Sequence, residues 1–194
     1  MRRLIVFNNM TVDGYFAGPN GDINWFRDHR DIDFDAFTAN DADAGLVLVF
    51  GRVTYDLMRS YWPTERALQE DPAVARRMNT LPKIVFSRTM NDTAWSNSTL
   101  LKGDVAPELA RLKKQGGGDL LILGSGSVVT QCAEAGLIDN YQIVVQPIAT
   151  GSGQTLFEGL TKHLELRLVE TRKLGNGNVF VSYEPAVPRA IPSM

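Results

Sequence analysis

The stretch with the clearest chemical potential is a glycine-serine corner, Gly124-Ser125-Gly126-Ser127, which directly follows the aliphatic run Leu120–Leu123. The run is short and apolar, as a strand buried on both faces is, and a helical pattern begins at Val128. The two glycines lack a Cβ that would hold a ligand away, either serine can cap the helix, and the start of a helix attracts anions. The corner therefore predicts a phosphate site, although a tight turn that binds nothing has the same sequence.

Two further strand ends add positive charge. The apolar run Leu46–Val49 leads into Gly51-Arg52-Val53-Thr54-Tyr55, where another helical pattern starts. The run Lys83–Phe86 leads into Ser87-Arg88. Because an arginine can neutralise a phosphate through two parallel hydrogen bonds, both strand ends are candidates for anion binding.

A long glycine-rich segment, from Asn8 to Phe26, follows the first apolar run at Leu4–Phe7. It carries the aromatic residues Tyr15, Phe16 and Trp25. Loops of this length in compact domains are usually functional, and aromatic side chains on such a loop suit a flat ligand. The sequence leaves open the alternative that these rings only anchor the loop on the core.

The elements that carry these residues alternate between strand and helix. Predicted strands lie at 4–7, 45–50, 83–86, 98–101, 120–123, 139–147, 164–168 and 179–183, with helices that include 33–42, 71–81 and 106–115. Asn176-Gly177 predicts a hairpin between the last two strands. This order predicts an α/β fold with a mostly parallel central sheet and a C-terminal antiparallel hairpin. Ligands bind such sheets at the carboxyl ends of the strands, where all the clusters above and Gln146-Pro147 fall, so we expect one nucleotide site.

Bulk properties narrow the class of protein. A chain of 194 residues with 44% hydrophobic content predicts a single domain at 1–185, followed by a tail at 186–194 that is loose or wraps a neighbour. The net charge of −2 argues against nucleic-acid binding, and no apolar stretch approaches the length of a membrane span. The single cysteine, Cys132, excludes an internal disulfide, and His29 and His163 lie too far apart to suggest a metal. We therefore expect a cytoplasmic protein without a metal.

Several of these motifs resemble those of a known family. Gly51–Tyr55 resembles the glycine-arginine-x-threonine-aromatic motif of dihydrofolate reductases, Leu81–Arg88 their leucine-proline and strand-serine segment, and Leu123–Ser127 their paired-glycine cofactor corner. The chain is more similar still to the reductase domain of the riboflavin-pathway deaminase-reductases and their stand-alone relatives. That likeness runs in order through Thr11–Ala17, Ala135–Asp139, Gln146-Pro147, Gly151-Ser152-Gly153 and Leu156-Phe157.

The resemblance implies a dihydrofolate reductase-like three-layer sandwich, NADPH as the hydride donor, and a homodimer. The open sheet edge that a C-terminal hairpin leaves also favours the homodimer. The implied cofactor-binding residues are Asn8, Gly51, Arg52, Thr54, Ser87, Arg88, Gly124, Ser125, Gly126, Ser127 and Val128, with Arg52 and Thr54 on phosphates, Ser87 and Arg88 towards the 2′-phosphate, and 124–128 on the pyrophosphate. The implied substrate-side residues are Asn9, Gly14, Trp25 and Gln146.

The implied reaction is hydride transfer from NADPH to a small heterocycle: a pterin, a folate or an aminopyrimidine. Such a reduction also needs a proton, for which Asp13 and Asp33 are the candidate catalytic residues, although each is equally an ordinary loop or cap aspartate. The ribose-phosphate-binding basic residues of the riboflavin enzymes are not recognisable. The alternative function is a nucleotide-binding, regulatory module of the same fold that does not catalyse.

Overall fold

The computed structural model describes residues 1–27 and 45–186. The predicted helix at 33–42, with the candidate acid Asp33, and the tail from residue 187 lie outside them. The strands are β1 (Leu4–Thr11), β2 (Tyr15–Ala17), β3 (Val47–Gly51), β4 (Lys83–Phe86), β5 (Ser98–Leu101), β6 (Leu120–Leu123), β7 (Asn140–Gln146), β8 (Gln154–Thr155), β9 (Leu166–Lys173) and β10 (Val179–Pro185). The helices are α1 (Asn24–Arg27), α2 (Arg52–Tyr61), α3 (Glu65–Glu70), α4 (Pro72–Thr80), α5 (Val105–Lys114) and α6 (Gly126–Glu134).

The central sheet has the strand order β5-β4-β3-β6-β1-β7-β10-β9. The strands from β5 to β7 are parallel to their neighbours, and β10 and β9 join the sheet in antiparallel orientation. Gly177, with φ +91°, lies in the turn between β9 and β10. This confirms the predicted α/β fold with a mostly parallel sheet and a C-terminal hairpin. A separate antiparallel pair, β2 with β8, was not predicted.

Helices cover both faces of the sheet and make three layers. On one face, Val6 and Ile122 pack in a buried cluster with Val129 of α6, to which α5 also contributes. On the other face, Phe50 packs with residues of α2 and α4, among them Tyr55. Because the central strands are buried on both faces, their sequences are continuous apolar runs. Among the described residues, none of the helices is both long and apolar enough to span a membrane.

Strand β1 is longer than its sequence predicts. Asn8–Thr11 were expected to open the long loop, because asparagine is uncommon in strands, but they pair with Ile143–Gln146 of β7. Pairing with a distant strand here overrides the local preference. Since β6 ends at Leu123, opposite Phe7, β1 and β7 continue past the end of β6.

Strand β9 forms an exposed edge of the sheet. The alternation at 164–168 predicted a strand with one wet face, but the strand begins at Leu166 and almost all of its residues are exposed. Its pairing with β10 skips Val169, which makes a local bulge. The hairpin therefore extends past the helical layers, and neither face of β9 is covered by them.

Lys83, the first residue of β4, has a buried side chain that is only 1% exposed. Its Nζ donates to the carbonyl oxygens of Leu81 at 2.8 Å, Ser96 at 3.1 Å and Asn79 at 3.3 Å. It also lies 4.4 Å from the centre of the Trp95 ring. Burial lowers the pKa of Lys83 to about 8. This lysine therefore joins the start of β4 to the segments before and after it, at the edge opposite the predicted site.

We expect Lys83→Met to remove a component of the pH dependence of stability. Because its pKa falls from 10.5 to about 8 on folding, the folded state binds fewer protons between these values. This group therefore makes the free energy of unfolding rise with pH across that window. Urea unfolding at pH 8 and pH 10 should show a smaller rise for Lys83→Met than for the wild type or for the exposed control Lys102→Met. Equal rises in the free energy of unfolding for all three proteins would contradict the lowered pKa of Lys83.

Candidate functional site

The predicted cofactor-binding residues come together along one edge of the sheet. Because β4, β3, β6, β1 and β7 are neighbouring parallel strands, their carboxyl ends meet there. Neighbouring strands lie about 4.8 Å apart, so these five ends span roughly 19 Å. In spatial order the groups are Ser87-Arg88, Gly51-Arg52, Gly124–Val128, Asn8–Gly14 and Gln146.

Ser125 joins the two glycine corners. The backbone N–H of Gly51 donates to Ser125 Oγ at 2.9 Å, and the backbone N–H of Ser125 donates to the hydroxyl of Thr54 at 3.0 Å. Ser125 was a predicted side-chain cap of α6, but its hydroxyl instead accepts from Gly51 and donates to the carbonyl of Leu123. The residue has φ +57° and ψ +57°, a conformation that is unusual for serine and that often accompanies functional sites.

The start of α6 offers backbone donors to a ligand. The N–H groups of Val128 and Val129 both donate to the carbonyl of Ser125, whereas those of Gly126 and Ser127 precede the helical hydrogen bonds. Gly124 has φ +57°, and a Cβ there would lie 3.0 Å from Thr54 Cγ2. The glycine is therefore required by both its backbone conformation and its neighbour. The resulting cradle of N–H groups at a helix start is suited to an anion.

The flap, which consists of β2 and β8, packs against this cradle. A Cβ on Gly126 would lie 3.2 Å from the ring of Phe16 and 3.6 Å from the carbonyl oxygen of Thr155. Gly126 therefore allows direct contact between the flap and the start of α6. The ring of Phe16 packs against the apolar cluster. For this residue the structure agrees with the alternative that the aromatic rings anchor the loop on the core.

The two predicted phosphate-binding arginines each face a carboxylate. Arg52 Nη1 lies 3.6 Å from Asp56 Oδ2, and the guanidinium of Arg88 hydrogen-bonds to Asp104. All four side chains are exposed to solvent, and exposed ion pairs contribute less than about 1 kcal/mol. Either guanidinium can therefore exchange its carboxylate for a phosphate at small cost. Ser87 Oγ accepts from the backbone N–H groups of residues 89 and 90 and so shapes the turn before β5.

Amide side chains occupy the ends of β1 and β7. Gln146 is 1% exposed, and its Nε2 donates to Asn9 Oδ1 at 3.1 Å. Among the described residues, Gln146 Oε1, Asn8 Nδ2 and Thr150 Oγ1 are buried and have no hydrogen-bond partner. A buried polar atom without a partner costs about 1–3 kcal/mol, so each of them is a candidate contact for a ligand. Asn8 and Gln146 lie on opposite faces of the sheet, because Gln146 pairs with Thr11, three residues after Asn8.

Asp13 connects two loops at this edge. Its carboxylate accepts from the backbone N–H groups of Gly151 at 2.8 Å and Thr150 at 3.1 Å. The hydrogen bond from the Thr11 hydroxyl, followed by that from Gly151, lowers the pKa of Asp13 from its usual value. A carboxyl group that is held ionised is a weak proton donor. This geometry favours a positioning role for Asp13 over the predicted role as an acid.

The remaining predicted residues are held by their own loop. Gly14 has φ +90° and donates to the carbonyl of Thr11 at 2.9 Å, which closes the turn before β2. Trp25 lies in α1, and its indole N–H donates to the carbonyl of Asp22 at 3.2 Å. Cys132 is buried on the apolar face of α6. Within the described ranges, no group of three His, Cys, Asp or Glu side chains could hold a metal ion.

Sequence reasoning missed two features of this edge. The joint role of Ser125 and Thr54 depends on two corners about 70 residues apart, and neither corner alone signals it. The link from Asp13 to the loop after β7 also has no local pattern. For Gln146 a signal was available, since a glutamine that ends an otherwise apolar strand is out of place in a core.

Comparisons with known proteins show which sequences and folds this chain is similar to. The sequence is 29% identical over 182 residues to the uncharacterized protein YyaP of Bacillus subtilis (strain 168), with 94% of each chain covered. A putative riboflavin biosynthesis protein from Shewanella sp. PV-4 superposes with a TM-score of 0.75 at 24% identity, over 95% of this chain and 99% of that one. Dihydrofolate reductase from Enterococcus faecalis, complexed with NADP(H), superposes with a TM-score of 0.62 at 17% identity, over 94% and 96%.

A larger protein contains the same fold. The diaminohydroxyphosphoribosylaminopyrimidine deaminase/5-amino-6-(5-phosphoribosylamino)uracil reductase of Thermotoga maritima has a TM-score of 0.65 at 15% identity, over 95% of this chain and 57% of that one. At such identities, the solved structures establish the fold alone.

The fold defines an α/β domain of the dihydrofolate reductase-like class, as the resemblance implied. More particularly, this chain belongs to the RibD C-terminal domain family, whose match covers residues 2–180.

We expect Asp13→Asn to loosen the loop after β7. The variant loses one of the two carboxylate oxygens and its charge, so the amides of Thr150 and Gly151 should exchange with deuterium faster than in the wild type. We call the two hydrogen bonds from Thr150 and Gly151 to Asp13 the clamp. Because folding lowers the pKa of Asp13, the clamp is complete in the wild type near neutral pH and is lost as the pH falls below about 4. Hydrogen–deuterium exchange followed by mass spectrometry measures the effect.

Asp22→Asn is the matched control, because Asp22 lies on the same connection but its carboxylate accepts hydrogen bonds only from Asn24 among the described residues. It should leave exchange at 148–155 unchanged. The same exchange rates in wild type and Asp13→Asn would show that the clamp does not hold this loop.

Proposed function

We propose that this protein is an NADPH-dependent reductase that transfers a hydride to a C=N or C=O bond of a small planar heterocycle of pterin, folate or aminopyrimidine type. The observation that carries the proposal is one continuous edge. The backbone cradle at 124–128 has arginines on one side and, on the other, buried amide atoms that lack a partner among the described residues. Membership of the RibD C-terminal domain family supports the reductase class.

The residues present fit the cofactor. The cradle supplies backbone N–H groups and the positive end of α6 for a pyrophosphate, and the Thr54 hydroxyl, which accepts from Ser125, still has its own proton to donate. Arg52 and Arg88 lie on the next two strand ends, within reach of an adenosine 2′-phosphate. These features support NADPH over NADH.

The other end of the cofactor has a complementary partner in Asn8. This residue follows Phe7, which pairs with Leu123 at the start of the corner, so its amide lies beside the cradle. Its buried Nδ2 has no acceptor among the described residues, and a carboxamide oxygen such as that of nicotinamide is a suitable one.

When bound, NADPH supplies the hydride, with its two electrons, and leaves as NADP⁺; the reduced bond then needs one proton. Asp13 is held ionised by its hydrogen-bond donors and is a weak source of that proton. We therefore propose that the proton comes from water at the site, with Asp33 as the other candidate acid.

A nucleotide-binding module without catalysis is the second candidate function. The observation that favours it is the state of Asp13, because the acid predicted from the sequence is occupied by two loop amides. Such a protein would bind NADPH through the same cradle and reduce nothing.

We also propose that two copies form a homodimer through the C-terminal hairpin. Leu168 and Val169 of β9 are each 49% exposed, and Val179 of β10, which pairs with Lys173 nearer the turn of the same hairpin, is 37% exposed. The bulge at Val169 and the flanking arginines discourage strand-to-strand pairing, so the contact uses the face of the hairpin. Light scattering should give twice 21.5 kDa for the wild type and a reduced mass for Leu168→Glu. A wild-type mass of 21.5 kDa at micromolar concentration would contradict the dimer.

The reductase is tested by cofactor binding and by NADPH oxidation, followed at 340 nm, with a panel of pterins, folates and aminopyrimidines. We expect oxidation with at least one compound; binding of NADPH without any oxidation would favour the second candidate.

Arg52→Ala should weaken the binding of NADPH by about 10- to 100-fold, since a charged hydrogen bond contributes about 1.5–3 kcal/mol, and should leave the affinity for NADH nearly unchanged. Arg59→Ala, in the last turn of the same helix, is the matched control. Equal losses for both cofactors would reject contact between Arg52 and the 2′-phosphate.

A further inference from the structure

The two halves of the candidate site differ in charge. The cofactor half, at the ends of β4 and β3, carries Arg88 and Arg52. The segments 4–26 and 140–161, which contain β1, β7 and the flap, hold no lysine or arginine. Their charged residues are Asp13, Asp22 and Glu158. Within these two described segments, the substrate half, the charged groups are therefore acidic, and the first basic residue beyond the first of them is Arg27, at the end of α1.

This distribution is unsuited to a phosphorylated substrate. A phosphate monoester carries a charge of about −1.5 to −2 at neutral pH, and proteins bind it with arginine, lysine or a helix start. The helix start at α6 and the arginines belong to the cofactor half, where a dinucleotide would use them. At the substrate half, Asp13 adds a negative charge, which its hydrogen-bond donors keep ionised.

The Asn9–Gln146 pair has a defined hydrogen-bonding capacity. Both side chains lie on one face of the sheet, because Gln146 pairs with Thr11 and Asn9 is two residues before Thr11. Their mutual hydrogen bond uses one donor and one acceptor, so the pair keeps one carbonyl and one amino function whichever way each amide is turned. The free acceptor, Gln146 Oε1, is buried without a partner among the described residues, and Asn9 is partly exposed.

Resting on the proposed function, we propose that the substrate is an uncharged planar heterocycle that presents adjacent N–H and C=O groups, a lactam edge, to Asn9 and Gln146 and carries no phosphate. The ring N–H donates to the free acceptor of the pair, and the ring carbonyl accepts from its free amino group. A site that holds a dry acceptor for a ring N–H discriminates against rings that lack one. This substrate class differs from the phosphoribosylamino compound in the name of the Thermotoga maritima protein.

The experiment measures binding to the full-length protein saturated with NADP⁺, so that no turnover occurs. Isothermal titration calorimetry compares 5-amino-6-(5-phosphoribosylamino)uracil with its ribosylamino counterpart, which lacks only the phosphate. We expect the unphosphorylated compound to bind at least tenfold more tightly. An analogue with the lactam N–H methylated should bind the wild type about 10- to 100-fold more weakly than its parent.

Variants locate the effect. Gln146→Leu should lose about 10- to 100-fold in affinity for the unphosphorylated compound, should no longer discriminate against the methylated analogue, and should bind NADPH normally. Gln142→Leu is the matched control, because Gln142 lies on the same strand and face, four residues before Gln146 and away from the site; it should behave as the wild type. Asn9→Ser, at a partly exposed position, should change affinity in the same direction and provides the test if Gln146→Leu does not fold.

The outcomes separate the two proposals. If the wild type does not bind NADPH, the proposed function fails and this inference fails with it. If NADPH binds but the phosphorylated compound binds more tightly, or if both variants keep full affinity and discrimination, the inference alone is overturned.

Discussion

The hydrogen bonds of Ser125 connect the two corners on which the candidate site depends. One side chain and one backbone N–H link the start of α6 to Gly51 and Thr54 at the start of α2. Because both helices begin on adjacent strands, these bonds set the distance between the N–H cradle and Arg52. They also hold Ser125 in a left-handed conformation that is unfavourable for a residue with a Cβ. The cradle of N–H groups, which we propose binds phosphate, is therefore held in place by contacts within the fold, and a site held in this way needs less ordering when a ligand binds.

The carboxyl ends of the strands carry different kinds of side chain on the two sides of this connection. Exposed arginines lie on one side, where their ion pairs with Asp56 and Asp104 are weak and exchangeable. Buried amides lie on the other side, where partners are fixed and unpaired atoms are costly. Charge attracts a ligand from a distance, whereas buried amides discriminate only at contact. A long ligand with an anionic end and a neutral ring would be oriented along the edge by this division alone.

Two ionisable side chains show how environment rather than residue type sets chemistry here. Asp13 is exposed, yet its hydrogen-bond donors lower its pKa and keep it ionised. Lys83 has three carbonyl acceptors, yet burial lowers its pKa to about 8. The sequence contained both residues but no sign of either environment. The sequence therefore predicts that Asp13 follows the end of β1, while its ionisation could not be read from its neighbours in the chain.

The sequence by itself determined the alternation of strands and helices, the glycine corners and the hairpin at Asn176-Gly177, because each depends on residues within one or two turns of chain. Only the tertiary structure decided that β1 runs on through Thr11, that Ser125 binds across to the other corner instead of capping its helix, and that Asn9 meets Gln146. The last two side chains are 137 positions apart in the sequence. The physical reason is that strand pairing and side-chain hydrogen bonds join groups that the fold brings together, and no local pattern encodes the partner at the other end.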